Sequence, residues 1–264
     1  MIVAIIQARM GSSRLPGKIM LKACDKTFLE HMIDRISQSK TLDKIVIATS
    51  INKDDDVIEN FCKEKNIFCF RGPESDVLSR YKMAADETQA DTIVRLTSDT
   101  PVLHSTIIDK VVETYIGNNY DYVSNCFPLP RTYPDGMNVE VFSKEILDEI
   151  HNNAKKPSDR EHVTLFLVFK PDKYKIFRVD YEKDVSKYRF NLDYKLDYEL
   201  LKTIFEKLYS ANHIFTMEDA IKLLEDNSSI FQINSEIEPY QGMLKSFVED
   251  EAKGFTKSEN FFKK

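Results

Sequence analysis

The first eighteen residues constrain this chain most. Met1-Ile2-Val3-Ala4-Ile5-Ile6 is an apolar, β-branched run suited to a central parallel strand. It passes directly into Gln7-Ala8-Arg9-Met10-Gly11-Ser12-Ser13-Arg14-Leu15-Pro16-Gly17-Lys18, a basic loop containing glycine, placed where α/β proteins receive phosphates. Gly11 permits close backbone approach, Ser12 and Ser13 are hydroxyl donors, and Arg9, Arg14 and Lys18 are three cations. The loop has neither the Walker A spacing of glycine, lysine and Ser/Thr nor G-x-G-x-x-G. P-loop ATPases and Rossmann dehydrogenases are therefore disfavoured, and nucleotide binding leads.

The chain of 264 residues is long enough for one α/β domain with an appendage, or for two small domains. Scarce glycine and plentiful Phe and Tyr exclude fibrous and low-complexity classes. A net charge of −6 argues against a nonspecific grip on nucleic acid, although local basic loops still suit a small anion. Cys24, Cys62, Cys69 and Cys126 form no C-x-x-C pair and no zinc spacing, so reduced, mostly buried thiols in a cytoplasmic setting are expected. The opening apolar run is too short for a signal peptide, and no run reaches membrane length.

Alternation organises the rest. Helices are expected at Phe28 to Ser39, Asp54 to Lys65, Asp76 to Thr88 and Ile107 to Asn118, with strands at Lys44 to Thr49, Ile67 to Phe70, Thr92 to Leu96, Asp121 to Ser124 and Asn138 to Phe142. This predicts a three-layer α/β/α domain with a mostly parallel, Rossmann-like sheet, which binds ligands at the carboxyl ends of its strands. Beyond it, Ser143 to His151, Ser158 to Phe169 and Asp197 to Tyr209 read as helices and Tyr174 to Asp180 as a strand. Thr216-Met217-Glu218-Asp219 opens a further helix through Leu224, and past Pro239 the pattern fades into polar, Lys-rich sequence. No repeat or Pro/Gly/Ser linker is visible, so we divide the chain into a domain over 1–210 and a small helical extension over 211–264.

Several short motifs recur in order after the loop: Phe70-Arg71-Gly72 with Asp76-Val77-Leu78-Ser79-Arg80-Tyr81, Arg95-Leu96-Thr97-Ser98-Asp99-Thr100-Pro101, Pro134-Asp135-Gly136 leading to Glu140-Val141-Phe142, Arg160-Glu161-His162-Val163-Thr164, and Arg189-Phe190-Asn191-Leu192-Asp193. Together with Gln7 to Lys18 they resemble the cytidylyltransferases that activate acidic sugars, of the acylneuraminate and 3-deoxy-manno-octulosonate type, and most of all the spore coat polysaccharide F branch. The likeness covers most of the chain to about Leu208. It implies a nucleotide-diphospho-sugar transferase type of fold, CTP as substrate, Mg²⁺ as cofactor and a homodimer, with the acceptor and dimer segment at about 125–195.

Nucleotidyl transfer needs triphosphate charge neutralised, a divalent cation on phosphate oxygens and an oriented attacking oxygen. Arg9, Arg14 and Lys18 are the phosphate-binding cations, with Arg9, Lys18 and Asp99 assigned to catalysis. The loop alone reads equally as a solvated basic turn; the strand before it and the motifs after it favour function. Asp99, at the sheet's ligand edge, is a hard oxygen ligand for Mg²⁺ or, taken alone, a turn cap. The resemblance adds Asp193 as the second metal ligand and leaves Asp197 as a helix N-cap. It further implies nucleotide contacts from Gln7, Ala8, Gly11, Ser12, Arg71 and Arg80, although Arg80 also reads as a surface ion-pair partner. Thr49 and Thr97 stand at strand ends near the nucleotide. Asn125, Arg131, Asp135, Glu140, Glu161 and His162 lie in the region the family uses for its acceptor. His162 reads either as a general base or as a helix-turn stabiliser.

The resemblance has one departure: where acidic-sugar cytidylyltransferases often carry Lys-Asn after the loop, Ile19 follows Gly17-Lys18 here. That weakens the transfer of any particular sugar acid and leaves the attacking atom, a sugar hydroxyl or a phosphate or phosphonate oxygen, unassigned. Rival classes are a nucleotidyltransferase for another NTP, a GT-A glycosyltransferase, whose Asp-x-Asp is missing at Ser98-Asp99-Thr100, and a catalytically silent nucleotide-binding module.

Overall fold

Side chains alternate along the first strand, and this divides the molecule into layers. In β1 (Ile2–Gln7), Ala4 and Ile6 enter one apolar cluster while Val3 and Ile5 enter another on the opposite face. The computed structural model describes residues 1–255. Its elements follow as the hairpin β2 (Lys22–Ala23) and β3 (Lys26–Thr27), α1 (Phe28–Ile36), β4 (Lys44–Ser50), α2 (Asp56–Glu64), β5 (Phe68–Gly72), α3 (Val77–Thr88), β6 (Thr92–Thr97) and α4 (Ser105–Ile116). After them come β7 (Tyr122–Ser124), β8 (Glu140–Ser143), α5 (Lys144–Asn153), α6 (Pro157–His162), α7 (Leu165–Val168), β9 (Ile176–Arg178), α8 (Lys195–Leu208), α9 (Met217–Asp226), α10 (Ser228–Phe231) and α11 (Gln241–Ala252).

Seven strands form one mostly parallel sheet in the order β5-β4-β1-β6-β8-β7-β9, in which only β8 runs against its neighbours. The chain leaves β1 for β4 on one side and returns through β6 on the other, so the loop after β1 sits at a topological switch point. Helices α1, α4, α8 and α9 cover one face, with Phe28, Val111, Phe205 and Ala220 buried in a shared cluster. Helices α3, α5 and α11 contribute Leu78, Leu147 and Phe247 to the cluster on the other. Among the described residues no helix is long and apolar enough to cross a membrane.

Two expectations change, and a third gains detail. The helix expected over Ser158 to Phe169 is two, because Val163 takes φ 61° and breaks the turn, which lets buried Thr164 donate to the Glu140 carboxylate. Asp197 is not an N-cap but the third residue of α8; its carboxylate accepts from the Asp193 and Tyr194 amides, both at 3.0 Å. The helical extension expected over 211–264 is borne out past Pro239 by α11, whose Met243 and Phe247 pack against the sheet's second layer. Residues 256–264 of the expected extension lie outside the described residues.

Candidate active site

A cavity of about 890 Å³ opens at the carboxyl ends of β1 and β6. Gln7 and Ala8 bring β1 to its floor, and the loop that follows, with Arg9, Gly11, Ser12, Arg14 and Lys18, lines one wall. Local bonds shape this loop: Asp55, just ahead of α2, accepts from the Met10 amide at 2.7 Å, and Gly17 turns the chain at φ 68°. Arg9 reaches Glu161 at 3.3 Å and Glu74 at 4.0 Å, and Thr97 and Asp99 enter from the end of β6.

Lys18 is the centre of the charge pattern. Its Nζ donates to Asp99 and to Asp193, each at 2.8 Å, and Arg14 adds a 2.7 Å pair to Asp193. Burial works to lower the Lys18 pKa, but the two carboxylates overcome it and raise the value above that of an ordinary lysine. Burial works to raise Asp193, and Lys18 and Arg14 reverse it, so its carboxyl lies well below the usual carboxylate range. Two hard carboxylates thus converge on one position beside the phosphate-type loop. Among the described residues no group of three or more His, Cys, Asp or Glu is gathered for a metal. Magnesium commonly takes one or two carboxylates and completes its shell with water and substrate phosphates, so the Asp99 and Asp193 pair fits that ion.

A buried ionic chain holds Asp193 in place. Arg131 pairs with Asp135 at 2.9 Å, Asp135 with Arg189 at 2.7 Å, and Arg189 with Asp197 at 2.9 Å, with a longer 3.4 Å reach to Asp193. Asn234 closes the chain by donating to Asp197 at 2.8 Å and to the Arg189 carbonyl at 3.2 Å. Gly136, at φ 97°, lies so near this segment that a Cβ would stand 2.5 Å from the Phe190 carbonyl carbon. The Pro134-Asp135-Gly136 and Arg189-to-Asp193 motifs are thereby laid side by side.

Farther in, Glu140 is only 2 % exposed and is fully engaged, accepting from Arg95, Thr164 and, at 2.7 Å, Tyr122. It lines the cavity as the anchor of Arg95, whose Nη2 donates to Gln7 at 3.2 Å. His162 opens onto the cavity yet is surrounded by protein; burial, then the neighbouring Arg95 charge, lowers its pKa to about 3. Arg80 departs from the surface-pair alternative. It is 1 % exposed, makes no salt bridge among the described residues, leaves Nε without a hydrogen-bond partner and lines the cavity. Burial lowers its pKa, and a buried cation without a carboxylate suits an incoming anion.

Three of the expected site residues are not among those lining the cavity. Thr49 is fully buried within β4. Arg71 is held by Asp56 at 2.6 Å and Glu59 at 2.8 Å on α2, because its side chain leaves the sheet toward that helix. Asn125 is consumed by the backbone, donating to the Met137 carbonyl at 2.6 Å and accepting from the Val139 amide at 2.8 Å. Conversely, Arg95, Arg160, Arg189 and α11 line the cavity without having been assigned to it. The three arginines stood inside the quoted motifs; α11 lay in the helical extension expected over 211–264, to which no site role was assigned.

A phosphate-type loop at the switch point of an α/β sheet, facing paired carboxylates, belongs to the nucleotidyltransferase class of enzymes. The chain matches the cytidylyltransferase family over residues 3–250, and it is a member of that family. It is 33 % identical to the spore coat polysaccharide biosynthesis protein SpsF of Bacillus subtilis, over 82 % of this chain and 93 % of that one. The solved structure of a cytidylyltransferase from Leptospira borgpetersenii superimposes with a TM-score of 0.83 at 36 % identity, covering 88 % of this chain and 96 % of that one. A CMP:2-keto-3-deoxy-manno-octonic acid synthetase complexed with CTP shares the fold, with a TM-score of 0.59 at 14 % identity, over 78 % of this chain and 98 % of that one.

Proposed function

We propose that this enzyme transfers CMP from CTP to an acidic sugar or to a phosphorylated or phosphonate acceptor, releasing pyrophosphate, with Mg²⁺ as cofactor. The observation that carries the reading is the meeting of Asp99 and Asp193 on Lys18 beside the loop cations. In the reaction an acceptor oxygen attacks the α-phosphorus in line, the bond to the bridging β-oxygen breaks, and its electron pair leaves with pyrophosphate, the proton of a hydroxyl acceptor passing to solvent water. Arg9, Arg14 and Lys18 neutralise the departing charge, and Arg80 receives a further part of the nucleotide's charge. Asp99 and Asp193 would hold the divalent cation, which offsets charge on the phosphate oxygens. His162, uncharged at neutral pH, orients the acceptor instead of carrying its proton as a strong base.

The relative's role in spore coat polysaccharide biosynthesis supports an activated precursor for a surface glycan as the product. Cys24, Cys62, Cys69 and Cys126, all free thiols, suit a reducing cytoplasmic compartment. We further propose a homodimer through about 125–195, and residues 1–210 as the catalytic domain with the extension closing over it.

The test is pyrophosphate release with Mg²⁺, each of the four NTPs and a panel of sugar acids, sugar phosphates and phosphonates. CTP-specific release with one acceptor, reduced at least ~100-fold in Asp99→Ala, is expected. Equal release from all four NTPs, or full activity in the variant, would sink the assignment.

A further inference from the structure

Helix α11 lines part of the cavity to which the nucleotide reading assigns no residue, and meets the loop at Gly242, beside Arg14. Its Gln241, Lys245, Ser246 and Glu249 share the cavity-lining side of the helix, while Met243 and Phe247 enter the apolar layer beneath. The helix is moored by side chains. Asp250, 1 % exposed, accepts from the Ser158 amide at 2.9 Å and the Ser158 hydroxyl at 2.5 Å, and Phe247 packs on Phe169 with ring centroids 6.0 Å apart. Such a helix is a fixed wall.

Ser246 ties this wall to His162. Its hydroxyl lies 3.2 Å from the Gly242 carbonyl and 2.9 Å from His162 Nε2; with the hydroxyl proton on the carbonyl, the ring donates from Nε2. The neutral imidazole then carries its proton on Nε2 and keeps Nδ1 as a hydrogen-bond acceptor. The two walls differ in chemistry. The loop after β1 concentrates Arg9, Arg14 and Lys18, whereas α11 presents one cation, one anion and two neutral hydrogen-bonding groups. Mixed donors and acceptors of balanced charge suit hydroxyl groups and not a second polyphosphate. The cavity lies near the upper end of the usual ligand range, roughly 300–1,000 Å³, and leaves room beside a nucleotide.

We propose that α11 is the acceptor-reading element of this enzyme. Gln241, Lys245, Ser246 and Glu249 bind the polyhydroxylated part of the acceptor, and His162, held by Ser246, exchanges a hydrogen bond with an acceptor hydroxyl. The proposal rests on the cytidylyltransferase reading. It assigns specificity to a helix near the end of the chain and leaves nucleotide recognition to the loop near its start.

Lys245 and Glu249 are 71 % and 53 % exposed, so their replacement leaves folding intact. With the full chain, Mg²⁺, CTP and 3-deoxy-manno-octulosonate as the acceptor probe, Lys245→Ala and Glu249→Ala should raise the acceptor KM ~10-fold, at about 1.4 kcal/mol per factor of ten. The CTP dissociation constant should stay within about twofold and kcat within about threefold. An unchanged acceptor KM, or an equal shift in CTP affinity, overturns the proposal. Hydrogen exchange gives a readout independent of the acceptor. Mg²⁺ with CTP alone should slow exchange in residues 8–18 and leave 245–252 unchanged. Slowing of 245–252 by CTP alone overturns the proposal, whereas no slowing anywhere overturns the nucleotide reading beneath it.

Discussion

Lys18 places one positive charge where two carboxylates would otherwise repel each other across a few ångströms. Removing it leaves Asp99 and Asp193 partly buried, with Arg14 and a distant Arg189 as partners. Lys18→Met should therefore lose about 3 kcal/mol of stability, a drop of several degrees in Tm, and regain part of it when Mg²⁺ is added. Melting the variant with and without Mg²⁺ checks this; an unchanged Tm refutes it. Two other residues oppose one another in pH. His162 has its folded pKa lowered by burial to about 3, so its contribution is complete above about pH 6.5 and fades as pH falls. Burial raises Asp159 to about 6, so its contribution is complete below about pH 4 and fades as pH rises through 6. Between about pH 4 and 6 the slopes offset, each near 1.4 kcal/mol per pH unit. His162→Gln should expose the Asp159 slope, giving stability that declines with pH across this window in urea titrations; a flat profile would refute the assignment. Asp99 and the loop cations were legible because a strand end and a basic loop have local signatures. The burial of Arg80, and the capture of Arg71 by Asp56 and Glu59, depend on how α2 and α3 pack and leave no trace in spacing.

Elements show the same division between local and distant causes. Strand periodicity and helix faces located the sheet through β8, and Asp76 and Thr216 cap helices as local chemistry requires, accepting from the Ser79 and Asp219 amides. The break at Val163 was not legible, since a β-branched residue at positive φ is disfavoured locally and persists only within tertiary packing. Asp197 was read as a cap because the sequence shows an acid near a helix start, but not that Arg189 and Asn234 converge on it. Gly136 marks where two distant segments touch. Gly136→Ala should push the 189–193 segment outward, costing about 2 kcal/mol in stability and moving Asp193 off its partners. The expected result is a folded protein with a lower Tm and weaker CTP binding. Wild-type values for both would show that the backbones separate without consequence.

At the scale of the molecule, the sheet ends on one side at β9, a short edge strand whose Phe177 is 39 % exposed and stacks on Tyr120 with centroids 4.8 Å apart. A homodimer through about 125–195 would bring this edge near its copy. Light scattering should give twice the mass of one chain, and Phe177→Glu should shift it toward one; a single-chain mass for the parent chain rejects the dimer. The three anchors that bind the chain's last helices to its centre, Asn234 on Asp197, Ser246 on His162 and Asp250 on Ser158, carry a further consequence. The loop after β1 and helix α11, which line one cavity, stand more than 220 residues apart along the chain. Replacing the segment that carries α11 would exchange one wall of the cavity and keep the loop after β1 intact, provided the incoming segment restores those three side chains.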